Sequence, residues 1–282
     1  MLFEAKYLFD LISPEEISPR YPVILLADSK QTLNKETMER LKDYVAQGGK
    51  ILACADAPVY QGEIAFDLGA RRIGEDKLVP AYLCADYSLE TADGMALLIK
   101  EGSQTVIEAT GECLAHKYSP YFVREGVNFC SHAHTPYDPD KRSPAITRGK
   151  DGIYVCADLF YEYAKYGSLN PKQLLLPLLE TLLEGKKTVK TNLPTSGKVA
   201  LYRKGDSLFL HLLYGNTAVR GNGVEVVEDL ATLADIRVSL DLPVQKIIRR
   251  PSGEELAFTV NGEGRTELCL DRLHCYEVLE LK

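Results

Sequence analysis

Up to about residue 190, apolar positions alternate between helical stripes and short unbroken runs. Leu2, Phe3, Ala5, Tyr7, Leu8, Phe9, Leu11 and Ile12 predict a largely buried helix, stopped by Ser13-Pro14. Residues 22–27 form a continuous apolar run closing on Asp28, which suits a central strand covered on both faces. Asn34 is placed to cap a helix with the core stripe Met38, Leu41, Tyr44 and Val45, and Gly48-Gly49 permits a left-handed ending. Residues 50–54 predict a second buried strand, parallel to the first across a right-handed crossover. Residues 60–150 are less regular. Strands are expected over 78–82, 96–100 and 105–109, with turns at Asp93-Gly94 and Glu101-Gly102. Residues 152–157 predict another core strand, and 171–183 a helix kinked at Pro177.

After about residue 190 the rhythm shortens. Residues 199–203 and 207–214 flank Lys204-Gly205-Asp206, a strong hairpin signal. Further short strands are expected over 236–240, 245–249, 256–260, 265–270 and 275–281, separated by Pro, Gly, Asn and Asp turns. That spacing predicts a small antiparallel sandwich. The pattern divides the chain into an α/β domain over 1–192 and a β-sandwich over 193–282, with no internal repeat and no low-complexity segment.

Composition narrows the function. Lys and Arg total 33 against 40 Asp and Glu, a net charge of −7. This argues against a nucleic-acid partner, which needs clustered positive charge. No apolar run approaches the ~18 residues that span a bilayer, and the first residues lack the basic start and apolar core of a signal peptide. The 7 cysteines are odd in number and contain no C-x-x-C pair, so they read as reduced thiols of a cytoplasmic protein. Sixteen Tyr and 8 Phe but no Trp argue weakly against a free-standing sugar-binding module.

Three places carry candidate chemistry. Cys54 ends a predicted strand, where a thiol paired with a histidine could act as a nucleophile; the alternative is a buried structural thiol. In Cys130-Ser-His-Ala-His-Thr-Pro-Tyr-Asp-Pro-Asp140, His132 and His134 project to one side if the chain is extended, with Asp138 and Asp140 nearby. A metal site, a loop touching sugar or another domain, and a loop with locally bonded histidines are all open. Gly221-Asn222-Gly223 is not a phosphate loop, because it lacks the flanking strand, helix and Lys. Glu225, Glu228 and Asp229 read as a solvated acidic face, and His211 and His274 as structural residues.

Several segments in order resemble a known family. Leu2-Phe3-Glu4 with Tyr7 and Phe9-Asp10, then Tyr21-Pro-Val-Ile-Leu-Leu-Ala-Asp28, then Leu41, Tyr44-Val45 and Gly48-Gly49-Lys50 resemble the amidotransferase-like trimerisation domain. That domain follows the catalytic barrel in β-galactosidases of glycoside hydrolase family 42 and related glycosidases. Residues 129–136, Asn192-Leu-Pro194, His211-Leu-Leu-Tyr214, Val226-Val-Glu-Asp229 and 251–256 resemble the later part of such chains.

The resemblance implies a flavodoxin-like, class I glutamine amidotransferase-like parallel sheet followed by the antiparallel sandwich, with the opening strand missing. It places Ala55 at the nucleophile position and Cys54 one residue early, so amidotransferase chemistry is lost. It implies a non-catalytic C-terminal region of a glycoside hydrolase, a homo-oligomer, whose (β/α)8 barrel would lie in cis before residue 1 or on an adjacent chain. A barrel needs ~250 residues, and there is no room for one here. The expected task is oligomer assembly and shaping of a carbohydrate site by His132, His134, Tyr137 and Asp138. No catalytic residue, cofactor or metal is assigned. The rivals are a stand-alone Cys-dependent hydrolase using Cys54 and a sugar-binding protein.

Overall fold

A computed structural model describes residues 1–27, 31–76, 80–90, 94–100 and 104–282. The expected Asp28 strand end, the start of the 78–82 strand, Asp93 and the Glu101-Gly102 turn lie outside the described residues. The chain divides into two compact units, Ile12–Gly185 and Met1–Leu11 with Lys186–Lys282.

The Ile12–Gly185 unit is built on a seven-stranded mixed sheet. Its spatial order is Val23–Leu26, Lys50–Cys54, Gly152–Val155, Tyr137–Arg148, Glu112–Pro120, Ala81–Ala85, Ala96–Ile99. The first three strands are parallel, and every later pairing is antiparallel. The expected flavodoxin-like α/β fold is therefore wrong: the chain is mostly β, 42% strand and 14% helix, with several antiparallel sheets. The cause is the connections. A parallel pair needs a long crossover, whereas a short link forces antiparallel pairing. Lys35–Ala46 (α1) supplies one crossover, but Tyr137–Arg148 turns directly into Gly152–Val155.

Helix α1 forms for the reasons its sequence suggests. Asn34 accepts a hydrogen bond from Thr37 N at 2.8 Å, and Met38, Leu41 and Tyr44 are buried. Gly48 takes φ +95°, while Gly49 is needed for close approach: a Cβ there would lie 2.2 Å from the Tyr44 ring. The Tyr44 hydroxyl sits 3.0 Å from Tyr21 O and 3.1 Å from Lys50 O, and accepts from Lys50 N at 3.2 Å. This ties helix to sheet. Leu159–Tyr166 (α2) and Leu169–Leu183 (α3) follow the last parallel strand, and α3 continues through Pro177.

In the other unit, two antiparallel sheets enclose one apolar core. Val189–Thr191, Leu233–Leu240, Thr266–Leu273 and Thr259–Val260 form the first. Lys198–Lys204, Ser207–Leu213, Tyr276–Leu281, Ile247–Arg250 and Glu255–Leu256 form the second. Alternation sends Ile236, Val238, Leu240, Leu268 and Leu270 inward to meet Leu210, Leu212, Leu279 and Leu281. The expected 2–12 helix is absent. Met1–Tyr7 makes turn bonds only, and Lys6 takes φ +59°. The buried Lys6 ammonium donates to Pro194 O at 2.8 Å, which holds the segment in that shape.

Candidate functional site

The antiparallel half of the seven-stranded sheet carries the site. Glu112–Pro120 and Tyr137–Arg148 pair as a long hairpin, joined by the connection 121–136. Connections beyond ~12–15 residues without regular structure are uncommon and are usually functional or disordered. This one is pinned at its base. Tyr121 N donates to Pro136 O at 3.2 Å, and Lys141 Nζ donates to Tyr121 O at 2.8 Å. The Tyr82 hydroxyl, from the neighbouring strand, donates to Thr135 O at 2.7 Å. Beyond these anchors the connection faces outward. Val127 is 98% and Phe129 70% exposed, and the Arg124 guanidinium lies 5.0 Å over the Phe129 ring.

Strand alternation then sorts the neighbouring side chains. Ala115, Lys117 and Ser119 are buried on one face, where Asp76 neutralises the Lys117 ammonium at 2.8 Å. His116 and Tyr118 occupy the other, half-exposed face. Tyr82 and Arg142 both pair with Tyr118 in register, on its two sides. Tyr137, at the foot of the connection, brings its ring 5.3 Å from Tyr82 and 5.3 Å from Tyr118. Three tyrosine rings thus form one cluster, with Tyr137 41% exposed. Clustered rings present the flat apolar surface on which a sugar ring or a partner side chain stacks.

The four residues singled out from sequence separate into pairs. Tyr137 joins the tyrosine cluster. Asp138 lies 3.5 Å from Lys141 Nζ and accepts from Asp140 N at 3.1 Å. His132 is exposed and His134 half-buried, both within the connection. Among the described residues neither imidazole makes a hydrogen bond or ion pair, and no group of three or more His, Cys, Asp or Glu could hold a metal.

One row along the same face sits a second polar group. The ladder register steps by two residues, from Ala115 to Cys113, while the partner strand steps by one, from Ile146 to Thr147. This bulge turns Cys113 to the His116 side. Cys113 Sγ is 3.5 Å from His116 Nε2, and His116 Nδ1 is 3.1 Å from Asp86 Oδ2. The spacing is that of a thiol, a base and an orienting carboxylate. The electrostatics oppose catalysis. Arg142 Nη2 lies 2.9 Å from Nδ1. A guanidinium only donates and the Asp86 carboxylate only accepts, so Nδ1 bonds to one of the two at a time and Asp86 and Arg142 compete for it. Desolvation also raises the Cys113 thiol above its ordinary pKa. The cluster therefore holds the strands together rather than activating a nucleophile.

No protein-family model and no curated protein matches this chain. Solved structures do. The α-L-fucosidase isoenzyme 2 from Paenibacillus thiaminolyticus aligns at TM-score 0.94 and 29% identity, over 100% of this chain and 44% of that one. This is a glycoside hydrolase-related domain. The β-galactosidase from Bacillus circulans sp. alkalophilus aligns at TM-score 0.60 and 17% identity, over 100% of this chain and 36% of that one. The E323A catalytic mutant of Gan42B, a GH42 β-galactosidase from G. stearothermophilus, aligns at TM-score 0.56 and 17% identity, over 99% of this chain and 34% of that one. The last two share the fold alone, and the domain spans less than half the length of each of the three.

Within this glycoside hydrolase-related domain, Cys54 is fully buried. Burial first, and the Asp158 charge second, push its thiol far up. Solvent does not reach the sulfur, which opposes the thiol-hydrolase reading. Ala55 follows at φ +49°, its carbonyl held by the Tyr154 hydroxyl at 2.8 Å. His274 Nδ1 is bonded to Thr232 Oγ1 at 3.0 Å, and Glu228 is paired with Arg220. Sequence reasoning missed Tyr82, Tyr118, Asp86, Cys113, His116 and Arg142. The tyrosines stand singly on three strands, and only the register shows that these residues meet. Among the described residues no helix is long and apolar enough to cross a membrane.

Proposed function

We propose that this domain is the non-catalytic part of a glycoside hydrolase, working with a catalytic (β/α)8 barrel on the same or an adjacent chain. Its task is assembly of a homo-oligomer and shaping of the edge of a carbohydrate site. The single observation that carries this reading is the fucosidase match, end to end on this chain at TM-score 0.94 while more than half of the fucosidase lies outside it. An α-L-fucoside is favoured as the parent enzyme's substrate over a β-galactoside, since the fucosidase match is stronger in both fold and identity. The relation to the family 42 β-galactosidases rests on fold alone. Cytoplasmic residence belongs to the same reading, supported by seven cysteines that are all free thiols.

The 121–136 connection and the Tyr82–Tyr118–Tyr137 cluster form the working surface, with His132 and His134 as its free imidazoles. Light scattering and sugar titration of the His132→Ala/His134→Ala/Tyr137→Ala variant test this. The expected result is a folded chain with lower oligomer mass or weaker sugar binding. Unchanged mass together with unchanged binding would remove the surface from the proposal.

A further inference from the structure

The outward face of the Val189–Thr191, Leu233–Leu240, Thr266–Leu273 and Thr259–Val260 sheet holds a depression of about 840 Å³. That lies within the ~300–1,000 Å³ range of small-molecule sites. Its floor follows from register. Lys190 pairs with Ser239, Ser239 with Glu267, and Glu267 with Thr259, which sets four polar side chains in one row across the sheet. Arg237 lies two residues along from Ser239, placing it diagonal to both Lys190 and Glu267 at ~7–8 Å between backbones. Phe258 forms part of the wall.

The charges here are arranged for something other than each other. Among the described residues neither Lys190 nor Arg237 forms an ion pair, although Glu267 stands diagonal to Arg237. Glu267 Oε1 instead accepts from Asn261 Nδ2 at 2.8 Å. Asn192 fixes the backbone under the cations, accepting from Arg237 N at 2.8 Å and donating to Asp235 O at 3.0 Å. Behind Ser239, the buried Arg265 donates from Nε to the Ser239 hydroxyl at 2.9 Å. Arg265 is itself paired with Asp241 at 3.9 Å, so the depression's own charges are the two cations Lys190 and Arg237 against the one carboxylate of Glu267, in a chain of net charge −7.

We propose that this groove binds an acidic saccharide, a uronate-type sugar whose carboxylate lies between Lys190 and Arg237. Glu267 and Thr259 then take the ring hydroxyls, and Phe258 meets an apolar ring face. Charge-assisted bonds to two exposed cations that form no ion pair among the described residues give the preference for an anion, and their exposure makes it salt-sensitive. The choice of a saccharide rests on the glycoside hydrolase reading above; the choice of an anion rests on the groove itself.

Titration calorimetry of the full chain with trigalacturonate and with neutral galactotriose tests this. Trigalacturonate is expected to bind, more weakly as salt is raised, and about tenfold more weakly in Arg237→Gln and in Lys190→Gln. Tyr202→Ala, on the other sheet, should leave binding unchanged. Absence of trigalacturonate binding at millimolar concentration, equal binding of galactotriose, or indifference to Arg237→Gln each overturns the proposal. Trigalacturonate binding in a chain that supports no glycosidase would keep the groove and remove the parent-enzyme reading. A working glycosidase with an inert groove would do the reverse.

Discussion

Tyr82→Phe removes one oxygen and isolates what anchors the 121–136 connection. The ring remains, so its 5.3 Å contact with Tyr137 survives. What is lost is the 2.7 Å bond to Thr135 O. Thr135 is 2% exposed, so water cannot replace the donor at that carbonyl. Leaving a buried acceptor unmet costs ~1–3 kcal/mol, and a carbonyl that keeps a second lone pair falls at the lower end, about 1.5 kcal/mol. That is roughly a tenfold rise in the local opening equilibrium. The Cys130 Sγ contact, at 3.8 Å, reaches Thr135 Oγ1 and does not replace the donor at the carbonyl. Amide hydrogen exchange of peptides covering 121–136 reads the change directly, at the Tyr121 and Asn128 amides that close the turns. Tyr118→Phe is the control. Its ring also touches Tyr137, but its hydroxyl makes no hydrogen bond among the described residues, so exchange should change less than about twofold. Equal exchange in Tyr82→Phe and the native chain, or a similar rise in Tyr118→Phe, would refute the anchoring argument.

Gly49→Ala should destabilise the Ile12–Gly185 unit by roughly 3 kcal/mol, because the new Cβ overlaps the Tyr44 ring and displaces its hydroxyl from Tyr21 O and Lys50 O; the urea midpoint followed by tyrosine fluorescence measures it. Burial raises the Tyr44 pKa to about 12, above its unfolded value near 10. Its contribution is therefore intact below about pH 10 and is lost as pH rises through about 12, so the urea midpoint should fall across that window and fall less in Tyr44→Phe. Iodoacetamide at neutral pH should label Cys269, the exposed thiol, well before the buried Cys54 and Cys156; mass mapping of the labelled peptides checks the order, and early Cys54 labelling would restore the thiol-hydrolase reading.

The local signals in the sequence and their failure have separate physical causes. The Asn34 cap, the Met38–Leu41–Tyr44 stripe and the two parallel strands at Val23–Leu26 and Lys50–Cys54 are set by nearby residues, and they read directly. So does the hairpin over Lys198–Lys204 and Ser207–Leu213, where Gly205 takes φ +60°. The strand Tyr137–Arg148 did not read. It contains Pro139 and Pro144, which cannot donate to a ladder, together with a run of charged residues. The sheet accommodates both prolines at register shifts between Tyr137 and Arg142 and between Pro144 and Ile146. Missing that strand hid the antiparallel half of the sheet, and the short strand–helix–strand unit was extended into a fold that the chain does not have. The site suffered for the same reason. His132, His134, Tyr137 and Asp138 stand close in sequence, whereas the partners Tyr82 and Tyr118 reach Tyr137 only through cross-strand register.

Hydrolysis of p-nitrophenyl α-L-fucoside tests whether this domain serves a glycosidase. The assay compares this chain alone, the proposed (β/α)8 barrel partner alone, and the two together, with the β-D-galactoside in parallel. The expected result is no turnover by this chain alone, fucoside cleavage by the combination, and a loss in the combination when His132, His134 and Tyr137 are replaced by Ala. Turnover by this chain alone, or a combination inactive on both sugars, would contradict it.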